Sequence, residues 1–128
     1  MRLTLLLTSL VVVLGITSAH AQTNRIFVTN ERSNDVTVIN GSTLEVEQTF
    51  KVGERPRGIG LSPDGKELYV ATSEENKIKV IDPVSLEIIR EFEAGSDPET
   101  FAVHPNGNIY ISNEDEAKAS VINPKKLT

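Results

Sequence analysis

The residues of this chain best equipped for chemistry are charged tripeptides built around proline. Arg55-Pro56-Arg57 and Asp97-Pro98-Glu99 stand 42 positions apart and carry opposite charges at matching places. Two guanidiniums set against two carboxylates can grip an anionic or zwitterionic ligand, or simply pair with each other, as exposed ions commonly and weakly do. A further acidic run, Glu114-Asp115-Glu116, offers the oxygens a hard cation takes. Consecutive carboxylates rarely all point to one centre, and the Asp-x-Asp-x-Asp-Gly spacing of a calcium loop is absent, so no metal ligand is assigned. The candidate residues for binding a ligand or protein partner are therefore Arg55, Arg57, Asp97, Glu99, Glu114 and Asp115.

Other reactive types read as structure. Ser62-Pro63-Asp64-Gly65 is not a Gly-x-Ser-x-Gly nucleophile elbow, and it returns as His104-Pro105-Asn106-Gly107, which marks it as turn chemistry: Pro presets the second position and Gly takes the fourth. His104 could serve as a general base or haem ligand, but it replaces Ser62 at the first turn position, where a turn-stabilising or exposed role is expected. With no nucleophile and base pair, metal triad or phosphate loop, no catalytic residue and no cofactor is assigned.

The elements that must position these charges are repeats. Ile26-Phe27-Val28-Thr29-Asn30, Leu68-Tyr69-Val70-Ala71-Thr72 and Ile109-Tyr110-Ile111-Ser112-Asn113 follow one another at steps of 42 and 41 residues, a period typical of propeller blades. Val38-Ile39-Asn40 recurs as Val80-Ile81-Asp82 and Val121-Ile122-Asn123. The repeats span about 26–67, 68–108 and an incomplete 109–128.

Within a unit the periodicity is two, which means strands. The second repeat reads as strands a (58–61), b (67–71), c (77–81) and d (87–93), joined by connections short enough to force antiparallel neighbours. In strand d of the first unit, Leu44, Val46 and Phe50 are expected on one face, against Glu45, Glu47 and Thr49. In strand a, Ile59 and Leu61 oppose Gly58 and Gly60, and the next copy sets Phe101 and Val103 against Thr100 and Ala102. Large residues of one blade can then pack on small residues of the next, which suits the crowded axis of a propeller. The fold class is all-β, a β-propeller of four-stranded antiparallel blades; a sandwich of repeated four-strand units is the alternative. Antiparallel order puts the a-b and c-d turns on one face, and the b-c loops and d-a crossings, with all the candidate charges, on the other.

The N-terminus reads as an address. Arg2, the apolar run 3–16 and Ala19-His20-Ala21 make a signal peptide over residues 1–21, with cleavage expected before Gln22. That run is short of the roughly 20 residues a membrane span needs, so export without an anchor, to the periplasm or beyond, is expected. The chain has no Cys, which excludes disulfides, lipid attachment through Cys and Cys-x-x-Cys-His haem attachment. It carries 13 basic and 18 acidic residues, of which the leader holds only Arg2. An acidic balance with no basic cluster beyond Lys125-Lys126 argues against nucleic acid and anionic membranes as partners.

Phe27-Val28-Thr29-Asn30, Tyr69-Val70-Ala71-Thr72 and Tyr110-Ile111-Ser112-Asn113 resemble the Tyr-Val-Thr-Asn signature of YVTN β-propeller repeats, with the Val-Ile-Asp/Asn, Gly-x-x-Pro and Ser-Pro-Asp-Gly elements in family order. The resemblance runs from about Arg25 to Asn123. More narrowly, it is similar to the exported propellers associated with pyrroloquinoline-quinone-dependent alcohol catabolism. What this implies is a non-enzymatic exported scaffold that binds a small ligand or a periplasmic protein partner. The wider group also resembles haem-d nitrite reductases and lactonases, which implies the alternative of an enzyme fragment whose catalytic residues lie in other blades. Ten expected strands make about two and a half blades, so the remaining blades of the same propeller are expected partners, the missing inner strand of the first blade coming from a lost C-terminus.

Overall fold

The computed structural model describes residues 24–127, so the expected signal peptide lies outside the described residues. Ten strands form: β1 (Arg25–Asn30), β2 (Asp35–Asn40), β3 (Val46–Lys51), β4 (Pro56–Leu61), β5 (Leu68–Thr72), β6 (Lys77–Ile81), β7 (Ile88–Glu93), β8 (Pro98–Val103), β9 (Ile109–Asn113) and β10 (Lys118–Ile122). They make three antiparallel sheets in the orders β1-β2-β3, β4-β5-β6-β7 and β8-β9-β10. The middle sheet is a complete four-stranded blade. Among the described residues the first blade has no inner strand and the third no outer one.

Alternation along each strand divides its side chains between two neighbouring blades. Leu68, Val70 and Ile81 face the first blade and pack with Val36, Val52, Phe27, Phe50 and Ile59. Tyr69, Ala71, Ile78, Val80 and Phe92 face the third and pack with Ile109, Ile111, Phe101, Val103 and Ile122. The core is thus two interleaved layers between three sheets.

The small and large alternation of the inner strands appears as direct contact. A Cβ built on Gly58 would lie 2.8 Å from Cδ1 of Phe101, and one on Gly60 would lie 3.1 Å from its Cε2. The turns behave as their sequence requires: Gly65 N–H donates to the Ser62 carbonyl at 2.9 Å and Gly107 N–H to that of His104 at 2.8 Å. His104 accepts the Asn106 N–H through Nδ1 at 3.2 Å, a bond internal to the turn.

The outer strand departs from expectation. Leu44, Val46 and Phe50 do not share a face. The register slips between Val38 and Ile39, so that Val38 pairs with Gln48 and Ile39 with Val46. A bulge at Glu47 turns Val46 to the face opposite Phe50. Leu44 sits in the preceding turn with φ of 62° and is exposed. The second blade repeats both features, with a slip between Val80 and Ile81 and Leu86 at φ of 64°.

Candidate functional site

The site is built where each chain crossing enters a new blade. The outer strands run into Gly53 and Gly95, with φ of 134° and 83°, conformations an L side chain rarely adopts. Space is also lacking there: a Cβ on Gly95 would lie 2.7 Å from Nδ2 of Asn113. That amide is buried and donates to the Ala94 carbonyl at 2.8 Å, pinning the crossing to β9. Two residues on, Arg55 and Asp97 adopt left-handed φ of 53° and 44°. Their N–H groups donate to the side-chain oxygens of Asn34 at 2.9 Å and Asn76 at 2.8 Å. Each clamp ties one blade's b-c loop to the crossing that enters the next blade. The charges that follow are therefore held by backbone rather than left on loose loops.

Arg55 and Arg57 sit side by side between carboxylates from all three blades. Arg55 lies 3.1 Å from Glu31, 3.4 Å from Glu74 and 3.7 Å from Asp97. Arg57 pairs with Glu99, lies 3.1 Å from Glu31 and 4.0 Å from Glu114. Hydrogen bonds from Arg55 and then Arg57 hold the Glu31 carboxyl below its ordinary pKa, and the bond that Arg55 donates to Glu31 raises the Arg55 pKa. Of the six sequence candidates, the structure thus brings Arg55, Arg57, Asp97, Glu99 and Glu114 into one cluster. Asp115 stands to one side, 3.4 Å from Ser96 Oγ, where it lines a concavity of about 230 Å³ with Arg55, Glu74 and Asp97. A second concavity of about 430 Å³ lies over Glu31, Arg57, Gly58 and Glu99.

Sequence reasoning missed Glu31 and Glu74. The signal for Glu31 was present, since the repeat register places it where Glu114 stands in the third unit. With both added, two guanidiniums stand among five carboxylates, leaving the cluster about three charges negative. Three buried polar atoms in it have no hydrogen-bond partner: Arg57 Nε, Asp97 Oδ1 and Glu99 Oε1. One carboxylate oxygen each from Asp97, Glu99 and Glu114 falls within 4.8 Å of the others. Such a triad could ligate a hard cation, but Arg57 already lies against two of its members, a contact a metal would have to displace.

The opposite face holds a cleft of about 300 Å³ lined by Ser62, Pro63, Glu67, Tyr69, Arg90, Pro105 and Pro124 among others. Its inner polar groups satisfy each other: Tyr69 Oη donates to Glu67 at 2.7 Å, and Arg90 donates to Glu67 at 2.9 Å and to the Pro124 carbonyl at 3.0 Å, while Lys66 and Lys125 stand at its rim. Burial, then the bond to Glu67, pushes the Tyr69 pKa up. The crossing face, by contrast, keeps buried carboxylate oxygens that accept no hydrogen bond.

Comparison with known proteins places this geometry. A family model described as a YncE-like β-propeller matches residues 10–113. No curated protein matches the chain in sequence. Among solved structures it is similar to the hydrazine synthase of Kuenenia stuttgartiensis, with TM-score 0.75 and 22% identity over 88% of this chain and 37% of that one. It is also similar to the dihydro-haem d1 dehydrogenase NirN, with TM-score 0.67 and 22% identity over 83% of this chain and 23% of that one. The WD40 propeller domain of Doa1 aligns with TM-score 0.64 and 12% identity, over 80% of this chain and 34% of that one. The chain thus spans well under half of each of these structures, and at such identities the likeness is one of fold.

Proposed function

From the premise that this chain belongs to the YncE-like β-propeller family, we propose that it is a binding scaffold whose crossing face takes a cationic, hydrogen-bond-donating group. The observation that carries this is the excess of carboxylates around Arg55 and Arg57, together with the buried oxygens of Asp97 and Glu99 that accept no hydrogen bond. Carboxylate oxygens accept hydrogen bonds and attract positive charge. An anionic ligand would meet repulsion from Glu31, Glu74 and Glu114, so the charge balance favours the opposite sign of ligand from the one two arginines suggest alone. The source of the cation is a small ligand or the basic segment of a protein partner. In the exported setting that the leader predicts, that partner is periplasmic.

The test is calorimetric titration of the protein with a lysine-rich peptide and with a glutamate-rich peptide of equal length, at low and high salt. The basic peptide is expected to bind, more weakly as salt rises, and Glu31→Gln with Glu99→Gln to weaken it at least tenfold. Equal binding of both peptides, or no effect of the substitutions, would overturn the reading.

A role for this scaffold in quinoprotein-dependent alcohol oxidation rests on the resemblance of its repeats, and quinoprotein genes beside its own would support it. A second reading is favoured by the likeness to two named enzymes, each much longer than this chain. In it, the chain contributes blades to a propeller enzyme whose catalytic residues lie in other blades. A clustered His, Asp and Glu set encoded downstream of Thr128 would distinguish that reading from a scaffold.

A further inference from the structure

The cleft on the turn face is a second concavity with the opposite charge balance. Pro63 and Lys66 come from one turn of the second blade, Pro105 and Asn106 from the matching turn of the third, and Pro124 and Lys125 from the helical turn after β10. All of its walls thus belong to the junction between the second and third blades, which further blades of a longer ring would leave in place.

The repeat register shows that its floor differs from the same place at the preceding junction. There Arg25 of β1 pairs with Glu47 of β3 at 2.8 Å and donates to the carbonyls of Pro83 and Val84, each at 3.0 Å. In the second blade Glu67 takes the place of Arg25, and Tyr69 that of Phe27. The guanidinium comes instead from Arg90 on the outer strand, which pairs with Val80 as Gln48 pairs with Val38. Arg90 still bonds the equivalent carbonyl, that of Pro124. The clamp between blades is therefore kept with its charges exchanged, and Glu67 ends up held by both Arg90 and the Tyr69 hydroxyl. A carboxylate neutralised in this way leaves the floor without net charge.

The rim is different. Asp64 is turned into its own turn, accepting from Ser62 Oγ at 2.7 Å and from the Lys66 N–H at 3.2 Å. The N–H groups of Asn106, Gly107 and Lys125 likewise donate within their turns. Among the described residues the lysines that form ion pairs are Lys51, Lys77, Lys79 and Lys118, so the ammoniums of Lys66 and Lys125 remain to meet a ligand. Lys66, Arg90 and Lys125 against Asp64 and Glu67 leave the cleft one charge positive, on a chain whose net charge is −5. Between the lysines the walls are proline rings and the buried ring of Tyr69, flat apolar surfaces that suit a flat apolar body. A volume of about 300 Å³ stands at the small end of ligand sites.

We propose that this cleft binds a small organic carboxylate with a flat body of one or two rings, the body lying between the prolines over Tyr69 and the carboxylate held at the rim by Lys66 and Lys125. The site is separate from the crossing face and takes a ligand of the opposite sign.

Nuclear magnetic resonance of the isotope-labelled mature protein, titrated with naphthoate, tests this. The amide signals of Lys66, Gly107 and Lys125 are expected to shift and saturate, with an affinity that falls as salt rises. Naphthamide, which keeps the body without the charge, and acetate, which keeps the charge without the body, should each bind at least tenfold more weakly. Lys66→Gln combined with Lys125→Gln alters two exposed side chains and should weaken naphthoate at least tenfold, while the rest of the spectrum and the affinity for naphthamide stay as they were. No saturable shift at millimolar naphthoate would overturn the proposal. So would shifts confined to residues outside the cleft, naphthamide binding as tightly as naphthoate, or full affinity in the doubly substituted protein.

Discussion

Phe101 of the third blade occupies the space that a side chain at Gly58 of the second would need, with its Cδ1 2.8 Å from where a Cβ would stand. The two residues belong to neighbouring inner strands, β8 and β4, and the closeness of those strands depends on the missing side chain. Gly58→Ala should destabilise the protein by about 1–3 kcal/mol through overpacking, and Gly60→Ala by less, its nearest contact with the same ring being 3.1 Å. Denaturant unfolding of both variants checks the order, and Phe101→Leu should recover part of the loss in Gly58→Ala.

The left-handed positions are not equal. Asn34, Asn76 and Ala117 hold φ of 60°, 58° and 49° at the same place in three b-c loops. Asn tolerates that region and here also accepts an N–H from the next crossing. Asn34→Ala should cost about 1–2 kcal/mol, from backbone strain and a lost, half-buried hydrogen bond. Asn76→Ala should cost less, its bond being exposed. Ala117 carries the strain without the clamp, so Ala117→Gly should stabilise by about 0.5–1 kcal/mol. Thermal unfolding of the three single variants measures this ranking.

Acid should weaken the second blade. Lys79 is buried and bonds Glu75 at 2.6 Å and Glu91 at 2.5 Å. Burial is the largest single influence on Lys79 and Glu75 and works against both charges, but their mutual bond acting together with the Glu91 bond to Lys79 and the Glu54 N–H bond to Glu75 outweighs it, raising the Lys79 pKa and lowering that of Glu75. Bonds from Lys77 and then Lys79 lower Glu91 to about 2. Depressed carboxylate pKa values confer stability that is complete above the unfolded value of about 4.3 and is lost as pH falls toward the folded values. The raised Lys79 value confers stability present below about 10.4 and lost as pH climbs through the folded value. Stability should therefore decline from about pH 4.5 toward pH 2, and Lys79→Met should make that decline shallower. Urea unfolding at a series of pH values checks both.

Cleavage after Ala19-His20-Ala21 should yield a protein starting at Gln22. Intact mass of the expressed product decides this, and a species retaining residues 1–21 in the cytoplasm would contradict export.

The architecture was legible because it is written three times. Repeated Tyr-Val-Thr-Asn-like strands, Pro-Asp-Gly turns and alternating Gly58, Ile59, Gly60 and Leu61 report local backbone and side-chain period, properties a short segment determines by itself. The same alignment exposed the facing of Arg55 and Arg57 to Asp97 and Glu99. What it could not show was the outer strand's bulge at Glu47, which depends on how β2 and β3 pair and reverses the face of Val46. Nor could it show that Glu31 reaches both guanidiniums from the first blade while Glu74 meets Arg55 from a loop of the second. The first is a relation across sheets, set by the angle at which one blade packs on the next, and the second depends on how the blade's own loop folds back. Both contacts decide the sign of the site, because field strength depends on distance in space, and residues more than 20 positions apart in sequence lie within 4 Å of each other there.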